Sequence, residues 1–346
     1  MSAVNTGVVL ARRPNGRVTT DCFRLVERPV AEPGPGEVLV RHLYLSVDPY
    51  LRGRMDAAFA LDEVVPVRVV GQVTASRNPC WSPGDLVWGF LGWQEWSLVR
   101  PSAEAVGIDE RLWPVDPANG PIAWAISALG MPGLTAWVGT FDLGRPQPGE
   151  TVFVSAAAGA VGSLVGQFAR LAGARAVGSA GSAAKVAHCV DVLGYDAAFD
   201  YRTCADQRAL VRALREACPS GIDIYFDNVG GPTLEAALRC LNDGARVPVC
   251  GMISRYEETS DPGVKGLINL LARRATMTGF SIYDHLHRLP AWLPRMAELV
   301  RSGKVVYHQE TWQGIDSVPE AFVSMLAGGN LGKRVVQVGD DPTLPG

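Results

Sequence analysis

One stretch, residues 151–173, constrains the fold of this chain more than any other. TVFVSA (151–156) is an apolar run with the texture of a buried strand. SLVGQFARLAG, beginning at Ser163, places Leu164, Val165, Phe168, Leu171 and Ala172 on one helical stripe. Between them lies Ala157-Ala158-Gly159-Ala160-Val161-Gly162. Strand, AxGxxG turn and helix, in that order, are the context in which such a turn cradles a dinucleotide. The glycine at 159 lets backbone approach a pyrophosphate, the glycine at 162 lets helix and strand pack closely, and the helix start offers unpaired N–H groups. Ala157, Gly159, Ala160, Val161 and Gly162 are therefore candidate cofactor contacts. A tight turn in an apolar α/β protein with no ligand is the competing interpretation.

The surroundings extend this unit into a sheet. After it come ARAVGSA, a helix around 182–193, AAFDY (197–201), a helix around 205–217, IDIYFDNV (222–229), the helix PTLEAALRCL and ARVPVCG. Strands alternating with helices of this length predict βαβ units and a parallel sheet. Residues 1 to about 100 read differently, as short strands between Gly/Pro turns, such as the run reaching VLVRHLYLSV, then VVGQVTAS, PGDLVWGF and QEWSLVR. They predict a small barrel-like β domain. IAWAISALGMPGLTAWVGTFDLG is helical in pattern, with a break expected at Met131-Pro132-Gly133. A helix near 290–302, a strand in VVYHQETW and a closing strand at 333–338 complete the chain.

Glycine supplies 38 of the 346 residues, and much of the excess falls in the β turns or at the strand exits of 130–251. Lys and Arg total 32 against 35 Asp and Glu, for a net charge of −3. That balance offers no electrostatic grip on nucleic acid or an anionic membrane. No apolar stretch approaches a membrane span, and the N-terminal apolar run is too short for a signal-peptide core, so a cytoplasmic protein is expected. Seven cysteines without a CxxC pair and five dispersed histidines predict free thiols and no metal site.

Which dinucleotide follows from the second strand. NAD sites place an acidic residue about 20 residues past the glycines, on the ribose hydroxyls. No Asp or Glu occurs between Thr151 and Val190; the strand ends in Gly178-Ser179-Ala180-Gly181-Ser182, with Lys185 close behind. Small hydroxyls and a cation suit a 2′-phosphate, so NADPH is expected, with Ser182 and Lys185 as contacts.

Seven blocks now carry a resemblance across nearly the whole chain: VDPYLR (47–52), LGMPGLTAW (129–137), AAAGAVGS (156–163), GSAGSAAKV (178–186), YFDNVGG (225–231), CGMIS (250–254) and NLGKRVV (330–336). In that order they resemble the medium-chain dehydrogenase/reductase superfamily. The match is best with the zinc-independent branch of prostaglandin reductase (leukotriene hydroxydehydrogenase) and alkenal/one oxidoreductase. Zinc-bearing members have Gly-His-Glu where this chain has Gly71-Gln72, and a cysteine-rich lobe it lacks. The resemblance implies an α/β fold: a Rossmann-type doubly wound parallel sheet domain plus a GroES-like mostly-β barrel domain. The second is discontinuous, at 1–127 plus 305–346, with the NADPH-binding domain at 128–304.

It further implies NADPH-dependent reduction of the carbon–carbon double bond of an apolar α,β-unsaturated ketone or aldehyde, without metal. Hydride would reach the β-carbon, and hydrogen-bond donors would meet the charge developing on the carbonyl oxygen. A quinone reductase of the same superfamily, or a redox-silent NADPH-binding protein, are the alternatives. Carried over by position, Tyr256 orients the nicotinamide end and donates to the enolate, and Tyr50 lines the substrate cleft. Tyr201 joins Lys185 and Ser182 at the adenosine phosphate. Asn228, Cys250, Gly251, Ile253 and Ser254 flank the cofactor, Phe280 and Ile282 lie by the nicotinamide, and Asn330 reaches it from the last segment. Cys250 is expected to be a packing residue rather than a nucleophile. By the same analogy ATMTGF (275–280) is a sheet edge, and the protein a homodimer.

Overall fold

The computed structural model describes residues 3–101, 111–260 and 262–344. The chain divides into two compact units, residues 1–129 with 309–346, and residues 130–308. In chain order, the first unit begins with β1 (Val4–Leu10) and β2 (Phe23–Pro29), an antiparallel pair, then β3 (Val38–Ser46) and a single-turn helix α1 (Leu51–Arg54). β4 (Arg68–Ser76), β5 (Leu86–Phe90), β6 (Trp96–Val99) and β7 (Trp113–Pro114) follow.

The second unit opens with α2 (Met131–Trp137), which runs on as a wider π-helical segment through Val138–Gly144. The break expected at Met131-Pro132-Gly133 is instead a helix start. Pro132 stands in the first turn, where its missing N–H would have had no partner in any case. Then come β8 (Thr151–Val154), α3 (Gly162–Leu171), β9 (Arg175–Ala180), α4 (Ala183–Ala187), β10 (Ala197–Asp200), α5 (Gln207–Ala217), β11 (Ile222–Phe226), α6 (Gly231–Leu238), β12 (Leu241–Val249), α7 (Ile268–Ala272), β13 (Thr276–Gly279) and α8 (Leu289–Arg301). The chain closes, back in the first unit, with β14 (Gln309–Gln313), α9 (Val318–Leu326) and β15 (Lys333–Gln337).

In the second unit the strands form one sheet in the order β10-β9-β8-β11-β12-β13, every pair parallel. This is the Rossmann-type doubly wound order. The chain winds outward from β8 in both directions, so the sheet has a switch point between β8 and β11, the place at which open α/β sheets receive ligands at the carboxyl ends of their strands. β13 is an outer edge. Leu164, Val165 and Phe168 of α3 are fully buried, but Leu171 is 47% exposed. The helix ends there and the chain turns at Gly173, so the expected stripe is one turn too long. β11 also stops sooner than expected, at Phe226. The Asp227 carboxylate takes the N–H groups of Val229 (2.9 Å) and Gly230 (2.8 Å) and bends the chain out of the sheet.

In the first unit a seven-stranded sheet runs β14-β15-β3-β4-β5-β7, with β6 also on β3. All its pairs are antiparallel except β14 with β15. Its core explains why two distant segments make one unit. Trp93 is fully buried between Phe23 of β2 (5.7 Å, 69°) and Phe322 of α9 (5.4 Å, 66°), and its indole N–H donates to Ser46 O at 3.0 Å. Each such edge-on pair adds about 1 kcal/mol to ordinary apolar burial.

Beneath the segment Ser46–Tyr50 the same unit holds a buried charge cluster. Asp48 Oδ1 accepts from Arg68 Nη2 (2.7 Å) and from Lys333 Nζ (2.8 Å). Lys333 also donates to Ser46 Oγ (2.8 Å) and Val47 O (2.7 Å). Burial opposes charge on Asp48, yet the two cations and the hydrogen bonds outweigh it and hold the carboxyl below its ordinary value. Burial brings the Lys333 amine down to about 8, against the pull of Asp48.

Candidate functional site

Because all six strands of the second unit are parallel, their carboxyl ends share one edge, and the sequence candidates of that unit sit at successive exits along it. Ala157–Gly162 follow β8, Gly178–Lys185 end β9 and open α4, and Tyr201 follows β10. Asn228 follows β11, Cys250–Tyr256 follow β12, and Phe280 and Ile282 follow β13.

The glycine turn is shaped by close backbone approach. Ala156 adopts a left-handed conformation (φ 51°), unusual for a residue with a side chain. A Cβ on Gly162 would stand 2.3 Å from Ala156 O, so the helix can start only if that position is bare. Gly159 is different: a Cβ there would meet only Ala156 O, at 3.1 Å. The fold hardly requires that glycine.

Alanine at the first position of the motif is accommodated from the neighbouring strand. A Cβ on Gly178 of β9 would lie 2.6 Å from the Ala157 methyl. Tyr195, 2% exposed, fills the space behind. Its ring lies where a side chain on Gly166 would be, and its hydroxyl donates to Gly162 O at 2.6 Å. The sequence analysis did not single out Tyr195. The two glycines that make room for its ring belong to different elements, and no local pattern links them.

At the exit of β9, Ser182 Oγ accepts the Lys185 N–H (3.3 Å) and caps α4. A Cβ on Gly181 would stand 3.2 Å from both Tyr201 Oη and Arg202 Nε. A phenol and a guanidinium thus flank a bare backbone position, a donor pair that suits a phosphate. Arg202 is a further candidate the sequence analysis missed. Its signal was a cation directly after the matched tyrosine in FDYRT.

At the switch point a buried polar network ties β8 to β11. Asn228 donates its backbone N–H to Ser155 Oγ (3.0 Å) and its side-chain N–H to Ser155 O (2.8 Å); Tyr225 Oη donates to Asp227 Oδ1 at 2.6 Å. Asp227 Oδ2 is buried and meets no donor among the described residues, and burial raises the pKa of this carboxyl despite the hydrogen bonds on Oδ1. The Asp227 carbonyl accepts from Cys250 (2.8 Å) and Gly251 (3.1 Å), so one residue anchors two of the exits. The Cys250 thiol is pushed up to about 12, first by burial and then by Asp227, which leaves it unreactive at neutral pH.

Tyr256 lies over Gly251, where a Cβ would come within 3.2 Å of its hydroxyl. That hydroxyl accepts the Met252 N–H at 3.4 Å and donates to no acceptor among the described residues. Burial raises its pKa, so the phenol keeps its proton. Ser254 Oγ donates to Val229 O (2.7 Å), holding Ile253–Tyr256 against the β11 exit. Phe280 packs edge-on to Phe226 at 6.5 Å. Two candidates belong to the first unit. Tyr50 packs against its core beside the Asp48 cluster, and the Asn330 amide donates to Gly332 O at 2.8 Å.

Two family models match. One, described as the N-terminal domain of oxidoreductase, covers residues 7–106; the other, described as zinc-binding dehydrogenase, covers residues 160–298. The residues do not fit a catalytic zinc. Gln72 follows Gly71, and no three His, Cys, Asp or Glu side chains gather as metal ligands among the described residues. The chain is 41% identical to the NADPH-dependent curcumin reductase of Escherichia coli (96% of this chain, 97% of that one). It is also 41% identical to the NADP(+)-dependent 2-alkenal reductase of Nicotiana tabacum (88% of each). Among solved structures, CurA from Vibrio vulnificus in complex with NADPH matches with a TM-score of 0.89 at 38% identity, over 97% of this chain and 100% of that one.

Proposed function

The chain belongs to the zinc-independent branch of the medium-chain dehydrogenase/reductase superfamily and is an NADP-dependent oxidoreductase, and from that premise we propose that it reduces the carbon–carbon double bond of apolar α,β-unsaturated ketones and aldehydes. NADPH, when bound, supplies the hydride. The observation that carries the proposal is the set of six strand exits converging on one edge, with a protonated tyrosine, Tyr256, whose O–H donates to no acceptor among the described residues.

In this proposal the chain's own groups bind, orient and stabilise. The turn Ala157–Gly162 receives the pyrophosphate on bare backbone and on the start of α3. Lys185, Tyr201 and Arg202 hold the adenosine 2′-phosphate, while Asn228, Cys250, Gly251, Ile253 and Ser254 frame the middle of the cofactor. Phe280 and Ile282 give the nicotinamide an apolar wall. Tyr256 directs its O–H at the carbonyl oxygen, where negative charge grows as hydride arrives at the β-carbon. Both the curcumin and the alkenal reductase named above fit an enone-type substrate.

The test is NADPH consumption across short, long and cyclic enones and enals, with product identification. Saturated carbonyl products are expected. Allylic alcohols, or no turnover across the panel, would refute the proposal. We also assign a homodimer through the edge strand β13, whose residues Thr276, Met277 and Gly279 are exposed. A concentration-independent mass near 37.0 kDa by light scattering would reject it.

A further inference from the structure

The outer face of α5 carries Arg208, Arg212 and Arg215, spaced i, i+4 and i+7, and Arg239 at the end of α6 joins them. The four guanidiniums line one open groove of about 560 Å³ together with Val211 and Glu216. All four arginines are exposed, and none forms an ion pair among the described residues; Arg215 instead meets the Cys240 thiol. With Glu216 counted, the groove carries three net positive charges on a chain whose total is −3.

Ordinary helix electrostatics account for only half of this. Cations near a helix C-terminus are favoured by its dipole, which explains Arg215 and Arg239. Arg208 is the second residue of α5, where the same dipole disfavours positive charge. Arg208–Arg212 and Arg212–Arg215 are like-charge neighbours that oppose helix formation. The groove runs away from the cofactor edge: Arg208 opens α5 after the β10 exit, whereas Arg215 and Arg239 lie shortly before the amino ends of β11 and β12.

We propose that this groove is a binding site for a compact oligophosphate anion, recognised through its phosphates by Arg208, Arg212, Arg215 and Arg239. Guanidinium forks match phosphate oxygens two at a time. The volume suits a small ligand rather than an extended chain. Among the described residues Val211 is the only apolar one in the lining, and no aromatic stands there to stack a base. The site therefore reads the phosphate group and not a nucleoside. The acidic chain as a whole repels nucleic acid, which needs a longer basic track.

The experiment titrates inorganic tripolyphosphate into the full-length protein by calorimetry at low ionic strength. NADPH is held at saturation so that its own site is closed. One saturable site is expected. Orthophosphate should bind at least about tenfold more weakly, ATP within about threefold of tripolyphosphate, and added salt should weaken every affinity. R212Q and, on the other helix, R239Q should each weaken tripolyphosphate at least about tenfold while melting and NADPH affinity stay as in the parent. Absence of saturable binding, or equal binding in both variants, would overturn the site. Oligothymidylate binding more tightly than tripolyphosphate would overturn the compact ligand in favour of a nucleic-acid surface. None of these outcomes depends on whether enones are substrates.

Discussion

Replacing the two glycines of the AxGxxG turn one at a time by alanine separates what the fold needs from what the cofactor needs. Neither glycine has a positive φ, so alanine strains neither backbone, and the two substitutions differ only in what the new methyl meets. In G162A it stands 2.3 Å from Ala156 O and 3.0 Å from Ala156 C and Ala157 Cα, all backbone. Roughly 1 Å of separation must be found before that contact becomes ordinary. The helix that would have to move carries Leu164, Val165 and Phe168, all fully buried. Overpacking of this kind costs about 3 kcal/mol, or roughly 6–12 °C in the melting of a unit this size. In G159A the methyl meets only Ala156 O at 3.1 Å, a contact relieved by a few tenths of an ångström. Its melting should change by no more than about 2 °C. If backbone at 159 touches the pyrophosphate, however, the methyl displaces it, at about 2 kcal/mol or roughly thirtyfold in NADPH dissociation constant. Melting of the apo proteins by fluorimetry and NADPH titration by fluorescence give both quantities. G159A binding NADPH like the parent would refute the assignment of Gly159 to the cofactor. G162A melting like the parent would refute the packing logic.

The buried cluster predicts an order of stability in urea. D48N leaves the Arg68 and Lys333 cations buried without an anion and should cost about 3–5 kcal/mol, whereas K333M keeps the Asp48–Arg68 pair and should cost about 1–3 kcal/mol. Because the folded-state pKa of Asp48 is depressed, its contribution is fully present above the ordinary carboxylate range and is lost as pH falls through the folded value. The D48N deficit should therefore shrink below about pH 4; a deficit that grows in acid would contradict the cluster. At the cofactor edge, K185A and R202A should each raise the NADPH dissociation constant about tenfold and leave that for NADH nearly unchanged. Equal losses for the two cofactors would remove both residues from the 2′-phosphate. Y256F should lower kcat about a hundredfold with a small change in KM for NADPH, and a parental kcat would exclude Tyr256 from the oxyanion.

What was legible in the sequence divides by distance along the chain. The parallel sheet and the glycine turn could be read directly, because strand, turn and helix are contiguous and each carries its own period. Residues 222–229 were read as strand throughout, since apolar texture does not reveal that Asp227 turns its carboxylate onto the N–H groups of Val229 and Gly230. Pro132 predicts a break because proline both disrupts helix interiors and opens helices, and the local sequence does not separate the two. The helix α9 and its Phe322 went unremarked. Their importance is that Phe322 meets Trp93, and nothing near 322 in sequence announces that. Lys333 and Asp48, which form the buried cluster, lie 285 residues apart. At the site, candidates at matched motif positions were assigned by resemblance, whereas Tyr195 emerges only from packing around Gly166 and Gly178, and Arg202, adjacent to the matched Tyr201 in sequence, is marked by its approach to Gly181.

The fit of Ala157 against Gly178 means that the dinucleotide signature of this protein is written on two strands at once. Restoring glycine at position 157 to make the more familiar GxGxxG would leave a methyl-sized gap facing Gly178, and placing alanine at 178 alone would drive two methyls together at 2.6 Å. Exchanged as a pair, A157G with G178A, the methyl changes sides of the interface but then stands 3.1 Å from the Tyr195 ring, which must give way by a few tenths of an ångström. The two residues thus constrain what each other can become, and Tyr195 constrains both.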